Sequence, residues 1–299
     1  MSLRYRSGLV TLIGRPNVGK STLLNRLMGS KISIISPRPQ TTRHRILGIK
    51  TGKHTQAVYI DTPGLQAGGI KQINRYMGRV SRGSIAGVDC IVLIITAQGW
   101  RTEDRPALSL VHNQSCPVIL AINKIDKLKD KSKLLPLIEQ SMKKMGFAAV
   151  VPISAKTGAN LVDLENVICT HLPIQPPIYP PDQLTDRGER FLAAELVREQ
   201  VFRSSGQEVP YAAAVEVEQF QRTKDLVRVN ATIWVEKVGQ KAILIGKKGA
   251  RLKLIGQRAR LAMQELFNSK IHLELWVKVR KGWSDNARVL RSLGYSEED

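Results

Sequence analysis

Cysteine is scarce in this 299-residue chain: Cys90, Cys116 and Cys169 are odd in number and show no metal-ligand spacing. That excludes a disulfide framework and a cysteine-built zinc site, and it suits reduced thiols in a cytosolic protein. Cys90 falls inside an apolar run and is expected in the core. No uninterrupted apolar stretch approaches the roughly 18 residues that a membrane-spanning helix requires, so a soluble globular protein is expected. Residues 1–7 contain no apolar signal core, and no transit peptide is expected. Acid is also in short supply: 25 Asp and Glu face 46 Lys and Arg, for a net charge of +21. Such an excess points to a polyanionic partner. The excess is uneven, because residues 176–236 hold an acidic surplus between two basic parts. His44, His54, His112, His171 and His272 show no pair at ligand spacing, and no Ser/His/Asp or Cys/His nucleophile arrangement stands out.

What is present is four short strings in a fixed order. Gly14, Arg15, Pro16, Asn17, Val18, Gly19, Lys20 and Ser21 read G-x-x-x-x-G-K-S, followed by Thr22. Glycines let the backbone N–H groups turn toward phosphate oxygens, Lys20 supplies a point charge, and the Ser21 hydroxyl suits Mg²⁺. Asp61, Thr62, Pro63 and Gly64 read DTPG; Asp61 is expected to hold Mg²⁺ through water and the Gly64 N–H to sense a γ-phosphate. Asn123, Lys124, Ile125 and Asp126 read NKID after the apolar run 118–122, which reads as a buried parallel strand. Ligands sit beyond the carboxyl ends of such strands. Asp126 can accept two hydrogen bonds from guanine that adenine does not offer, so GTP and GDP are expected rather than adenine nucleotides. Asn123 is expected to brace the loop and Lys124 to lie along the base. Ser154, Ala155 and Lys156 complete the pocket, with the Ala155 N–H aimed at the guanine carbonyl.

Between the first helix and second strand, PRPQTTRHR (residues 37–45) occupies the place of a nucleotide-sensitive first switch, with Thr42, or Thr41, as a Mg²⁺ ligand. Arg43, His44 and Arg45 are expected at the surface. Leu65 follows DTPG where Ras-like GTPases carry a water-orienting glutamine. Slow intrinsic GTP hydrolysis is therefore expected, with water positioned in another way.

Strands are expected at 9–13, 45–50, 57–61, 90–96, 118–123 and 149–153, and helices at 20–28, 74–82, 105–113, 131–145 and 160–171. That is an open, mostly parallel α/β sheet with helices on both faces, a P-loop GTPase domain over 1–172. Five prolines in residues 173–181 define a stiff linker, 173–184. The remainder, 185–299, reads helix, strand, strand, short apolar helix at 241–245, helix, strand. Its first helix is expected at 186–202 with Asp186 and Glu189 as a capping pair. Gly246, Lys247, Lys248 and Gly249 form a G-x-x-G turn before an amphipathic helix, 250–267, that carries Arg251 and Lys253. Glycines for close backbone approach and two lysines suit single-stranded RNA, as in a KH domain. Trp276 and Trp283 suit either base stacking or packing.

GRPNVGKSTLLN, QTTRHRI, DTPGL, NKID and SAKTG, with the G-x-x-G domain and the ending HLELWVKV…GW…LRSLGY, resemble the Era family of bacterial ribosome-assembly GTPases over nearly the whole chain. The resemblance implies a type II KH domain that binds the 3′ end of small-subunit ribosomal RNA on the immature small subunit, under control of the bound nucleotide. It also implies cytoplasmic residence with some peripheral inner-membrane association; a monomer is expected. Asn17 resembles the asparagine that coordinates K⁺ in cation-activated GTPases. Two other readings remain: an RNA-binding scaffold whose nucleotide is structural, and a GTPase acting at a membrane.

Overall fold

The computed structural model describes residues 5–64, 72–204, 206 and 209–295. Its contacts divide the chain into two compact units: Met1–Ser33, Thr42–Gly68 and Met77–Asp186 form the first, and Ile34–Thr41, Gly69–Tyr76 and Arg187–Asp299 the second.

In the first unit, strands and helices alternate: β1 (Arg6–Ile13), α1 (Lys20–Met28), β2 (Ile46–Thr51), β3 (Thr55–Asp61), α2 (Gln72–Gly83, which begins among the residues of the second unit), β4 (Cys90–Thr96), α3 (Arg105–His112), β5 (Val118–Asn123), α4 (Leu134–Met142), β6 (Ala149–Pro152) and α5 (Leu161–His171). The strand order is β2-β3-β1-β4-β5-β6, parallel except for the β2–β3 hairpin. Every residue of β4 and β5 is buried, as expected of central strands covered on both faces. Cys90 lies in that core, where burial pushes its thiol up to about 12. The proline-rich stretch, expected as a linker, makes its described contacts with this unit. Gln56 donates to the Tyr179 carbonyl and accepts the N–H groups of Ile178 and Tyr179, and Ile49 N–H donates to the Leu184 carbonyl. Proline removes donors but leaves carbonyls, and the sheet edge uses them.

The second unit contains α6 (Glu189–Ser204), β7 (Ala214–Arg222), β8 (Leu226–Val235), α7 (Val238–Ile245), α8 (Ala250–Phe267), β9 (Lys270–Val279) and α9 (Ala287–Ser292). β8 pairs antiparallel with β7 and parallel with β9. Odd-numbered residues of β8 from Val227 to Val235 are fully buried and pack with Leu196 and Val197 of α6 and Ile255, Ala259 and Met263 of α8. Helix α6 starts at Glu189, later than expected. The Asp186 carboxylate accepts the Leu47 N–H at 3.0 Å, which places Asp186 with the first unit. Helices α7 and α9 are longer or newer than the sequence suggested. Asn286 caps α9 by accepting the N–H groups of Arg288 and Val289. Among the described residues, no helix is long and apolar enough to cross a membrane.

Candidate functional site

The four strings converge at the carboxyl ends of β1, β3, β5 and β6. The P-loop leaves β1 at Gly14 and enters α1 at Lys20. Gly19 has φ 110°, and a Cβ there would lie 2.4 Å from Asn123 Nδ2, so a side chain would displace the residue that ties the loops together. A Cβ on Gly64 would lie 2.8 Å from the Pro16 nitrogen, so DTPG approaches the P-loop backbone to backbone. Val18 is fully buried. Lys20 is only 6% exposed and donates from Nζ to the carbonyl oxygens of Gly14 at 3.0 Å and Arg15 at 3.2 Å. Burial lowers its pKa to about 8, and the Asp61 carboxylate offsets part of that shift.

Asp61 is fully buried. Its Oδ2 accepts from Ser21 at 2.6 Å and Ser33 at 2.8 Å, with the Thr42 hydroxyl 3.5 Å away. Burial raises its pKa, and these hydroxyl bonds with Lys20 work against the rise. Among the described residues, Asp61 Oδ1 is buried with no hydrogen-bond partner. Thr42 Oγ1 lies 2.8 Å from Ser21 Oγ. Thr41 points its hydroxyl elsewhere, to Ser36 at 2.6 Å and the Arg38 carbonyl at 2.8 Å. A carboxylate with an unpartnered oxygen beside clustered hydroxyls is an all-oxygen donor set, which fits a hard cation such as Mg²⁺.

At the base end, Asn123 Oδ1 accepts the N–H groups of Lys124 at 2.7 Å and Ala155 at 3.0 Å, while its Nδ2 donates to the Val18 carbonyl at 2.8 Å. The Ala155 N–H, expected to face guanine, is thus donated to Asn123 here. The reason is local: Asn123 ends β5 and the Ser154–Lys156 turn follows β6, its neighbour in the sheet. Asp126 is exposed, and one of its oxygens accepts the Ser154 hydroxyl at 2.6 Å. Ile125 N–H donates to the Ile153 carbonyl, and Lys124 Nζ reaches the Asn17 carbonyl at 2.5 Å. The Thr62 hydroxyl donates to the Leu12 carbonyl, the Pro63 carbonyl accepts from Ser81, and the Lys156 carbonyl accepts from Arg26. Thr22 follows in the first turn of α1. Leu65 lies outside the described residues.

Four partners escaped the sequence reading. Arg15 lies 3.0 Å from the buried carboxylate of Asp104 and donates to Thr96. Ser33 bonds Asp61, and Asn25 holds Ser33 by accepting its N–H at 2.9 Å and donating to its carbonyl at 2.6 Å. Asn25 sits four residues after Ser21 on the same face of α1, and that spacing was the available signal. Arg43 and His44, expected at the surface, are 2% and 4% exposed, and Arg45 is half-buried. Charged side chains are buried only where they are partnered, and these have partners.

In the second unit, Gly246–Gly249 forms a tight turn with positive φ at Gly246, Lys248 and Gly249, and both lysines are exposed. Arg251 donates to the Ile243 carbonyl at 2.6 Å, so its guanidinium helps hold the end of α7. A groove of about 460 Å³ runs along α8 and β9, with Gly249, Lys253, Gln257, Arg260 and His272 among its walls. Gln257 and Arg260 follow Lys253 at four and seven residues, a helical spacing that the sequence reading did not use. Trp276 is 41% exposed, whereas Trp283 is fully buried, donates to the Ala212 carbonyl at 2.9 Å and stacks on Tyr295.

Residues 9–124 match the family of 50S ribosome-binding GTPases and residues 208–284 match the KH domain family. GTPase Era of Coxiella burnetii (strain Dugway 5J108-111) is 49% identical over 290 residues, covering 97% of this chain and 98% of that protein. GTPase Era of Pseudomonas aeruginosa (strain LESB58) is 50% identical over 292 residues, covering 98% and 96%. Among solved structures, Era in complex with MgGDPNP and nucleotides 1506–1542 of 16S ribosomal RNA is 39% identical with a TM-score of 0.94, over 98% of this chain and 99% of that one. Aquifex aeolicus Era bound to GDP and AlF4⁻ matches with the same identity and TM-score, over 97% and 99%. With clustered hydroxyls around a buried aspartate in one unit and a G-x-x-G groove in the other, this chain belongs to the GTPase Era family.

Proposed function

We propose that this protein is a GTP-hydrolysing switch that binds the 3′ end of small-subunit ribosomal RNA and acts in small-subunit maturation. The observation that carries the reading is the buried Asp61, with its unpartnered oxygen and three hydroxyls, in a chain that also builds a basic groove.

The P-loop amides and Lys20 bind the phosphates, and the buried ammonium, only partly compensated by Asp61, gains the rest of its opposite charge when they arrive. Ser21 and Thr42 would hold Mg²⁺, with the Asp61 carboxylate beside them to balance its charge. When bound, the metal neutralises charge that develops on the phosphates. Asp126 selects guanine, with Ser154 orienting its carboxylate and Asn123 bracing the surrounding loops. The Gly64 N–H faces the γ-phosphate, and water attacks that phosphate to release GDP. Asn17 is a candidate K⁺ ligand. In the second unit, the exposed Lys247 and Lys248 meet phosphates while Lys253, Gln257, Arg260 and His272 face the bases. Residence is cytoplasmic, with peripheral contact at the inner membrane.

Multiple-turnover phosphate release from GTP, with ATP as comparison, and anisotropy with a labelled oligonucleotide of the ribosomal RNA 3′ end test this reading. Slow GTP-specific turnover is expected, together with RNA binding that the double variant Lys247→Glu, Lys248→Glu abolishes. Tight GTP binding with no turnover, RNA present or absent, favours the scaffold. Intact RNA binding in the double variant, with loss of vesicle binding, favours the membrane reading.

A further inference from the structure

The connection from β4 to α3, residues 97–104, carries none of the four strings, yet its last residue reaches the phosphate loop. The Asp104 side chain is 1% exposed, and its Oδ1 lies 3.0 Å from Arg15 Nε, an ion pair rather than an aligned hydrogen bond. Asp104 Oδ2 accepts the Arg101 N–H at 2.9 Å, which fixes the carboxylate to its own turn. Arg15 Nη2 donates to the Thr96 hydroxyl at 3.2 Å, at the end of β4. The Arg15 side chain is 12% exposed, so both charges are largely withdrawn from water. All of these residues lie in the first unit.

The remainder of the loop is held from other sides. Lys20 Nζ holds the Gly14 and Arg15 carbonyls, Asn123 Nδ2 the Val18 carbonyl, and Lys124 Nζ the Asn17 carbonyl. Asn17 has φ 63°, a left-handed conformation that a non-glycine residue keeps only where its surroundings impose it. Lys20 and Lys124 are groups that a nucleotide engages, so their holds on the loop are shared with the ligand. The Arg15 side chain instead ties the loop to a strand buried along its whole length and to the turn before α3. We infer that Asp104 is a positioning residue for nucleotide: by holding Arg15 it sets the peptides of residues 14–17 that meet the phosphates. The inference rests on the nucleotide reading above. GDP and GTP share the phosphates that this loop cradles, so the effect falls on binding and not on the chemical step. The pair also balances charge. Burial lowers the pKa of Lys20 and of Lys124, and the Arg15 charge adds to that lowering. A change at Asp104 alone therefore alters the field at the phosphates as well as the loop.

The test uses the full chain. Arg15→Met with Asp104→Leu removes both charges at once and leaves the net charge unchanged. Apolar replacement of a buried ion pair is often neutral or stabilising, so the double variant should keep its melting temperature. Equilibrium titration with fluorescent GDP and steady-state GTP turnover, both in Mg²⁺, read the outcome. The GDP dissociation constant and KM should each rise about tenfold, from loss of a bond made by a charged group, with the loss falling on KM rather than on kcat. A merely structural pair behaves otherwise, because a smaller folded fraction lowers the apparent kcat and leaves KM in place. Arg15→Lys keeps a cation facing Asp104 but loses the fork that also reaches Thr96, and should recover part of the affinity. Parental GDP affinity and KM in the folded double variant overturn the inference. Should that variant fail to fold, hydrogen exchange on the parent decides. Binding of GDP that orders the loop must tighten its anchor in return, so the Arg101 N–H should gain protection together with residues 14–19. Protection of 14–19 with none at 101–104 overturns the inference. A parent that binds no nucleotide refutes the underlying nucleotide reading instead, and the two failures are distinct.

Discussion

Lys20 predicts that a proton is taken up when nucleotide binds. Burial holds the free ammonium at a pKa of about 8, against an ordinary 10.5, because the P-loop carbonyls and Asp61 replace only part of its hydration. Phosphate oxygens arriving at Nζ favour the charged form and move the pKa back up. The sign follows. The group has the lower pKa in the free protein, so binding takes up protons and affinity falls as pH rises through 8. At pH 8 about half of the free protein carries a neutral Lys20, so binding should take up about 0.5 proton, falling to about 0.1 at pH 7. Between pH 7 and 8.5 the GDP dissociation constant should rise about fourfold from this group alone. Isothermal titration calorimetry in two buffers of different ionisation enthalpy reads the uptake directly. Arginine remains charged throughout this range, so Lys20→Arg should bind more weakly but without the uptake. A parent whose binding enthalpy at pH 8 is independent of buffer would refute the argument that burial, uncompensated until phosphate arrives, dominates the lysine's environment.

Asp126→Asn replaces two carboxylate acceptors by an amide and should weaken GDP by about a hundredfold or more, read by the same calorimetry; a loss under tenfold would remove Asp126 from base selection. Gly19→Ala sets a Cβ where Asn123 Nδ2 now lies, and overpacking of that kind costs about 1–3 kcal/mol. It should lower the melting temperature of the first unit and the affinity for nucleotide together, and normal affinity would show that Asn123 yields easily. Trp283→Ala empties a fully buried site and strands the Ala212 carbonyl. Chemical unfolding should show a loss of about 3–5 kcal/mol, with RNA affinity of the folded fraction unchanged. A specific loss of RNA binding without loss of stability would return Trp283 to the base-stacking role.

Much of this protein was legible in its residues. The apolar runs of β4 and β5 and the alternation along β8 located strands that are themselves buried on both faces or on one. Helices α1 and α8 begin and end where the glycines and the 3–4 spacing place them. Less visible was anything decided between distant segments. Asp186 and Glu189 have the spacing of a cap, yet Asp186 is used by Leu47. Thr41 and Thr42 are chemically equivalent in sequence, and only the fold sends one hydroxyl to Ser36 and the other to Ser21. Arg43 and His44 follow a polar run that reads as surface, but the chain there turns inward to start β2, and both are buried.

By itself the sequence determined the order of the elements up to the last strand, the ligand chemistry of the four strings and the presence of an RNA-type turn, because each depends on residues within a few positions of one another. The tertiary structure alone decided which threonine faces Asp61, which carboxylate holds Arg15, and which arginine, Arg198, holds the Thr41 carbonyl. That last pair lies 157 residues apart. Local propensity carries no record of such a meeting; it is set by how helices and sheets bury their apolar faces, and the polar partners follow from where that packing leaves them.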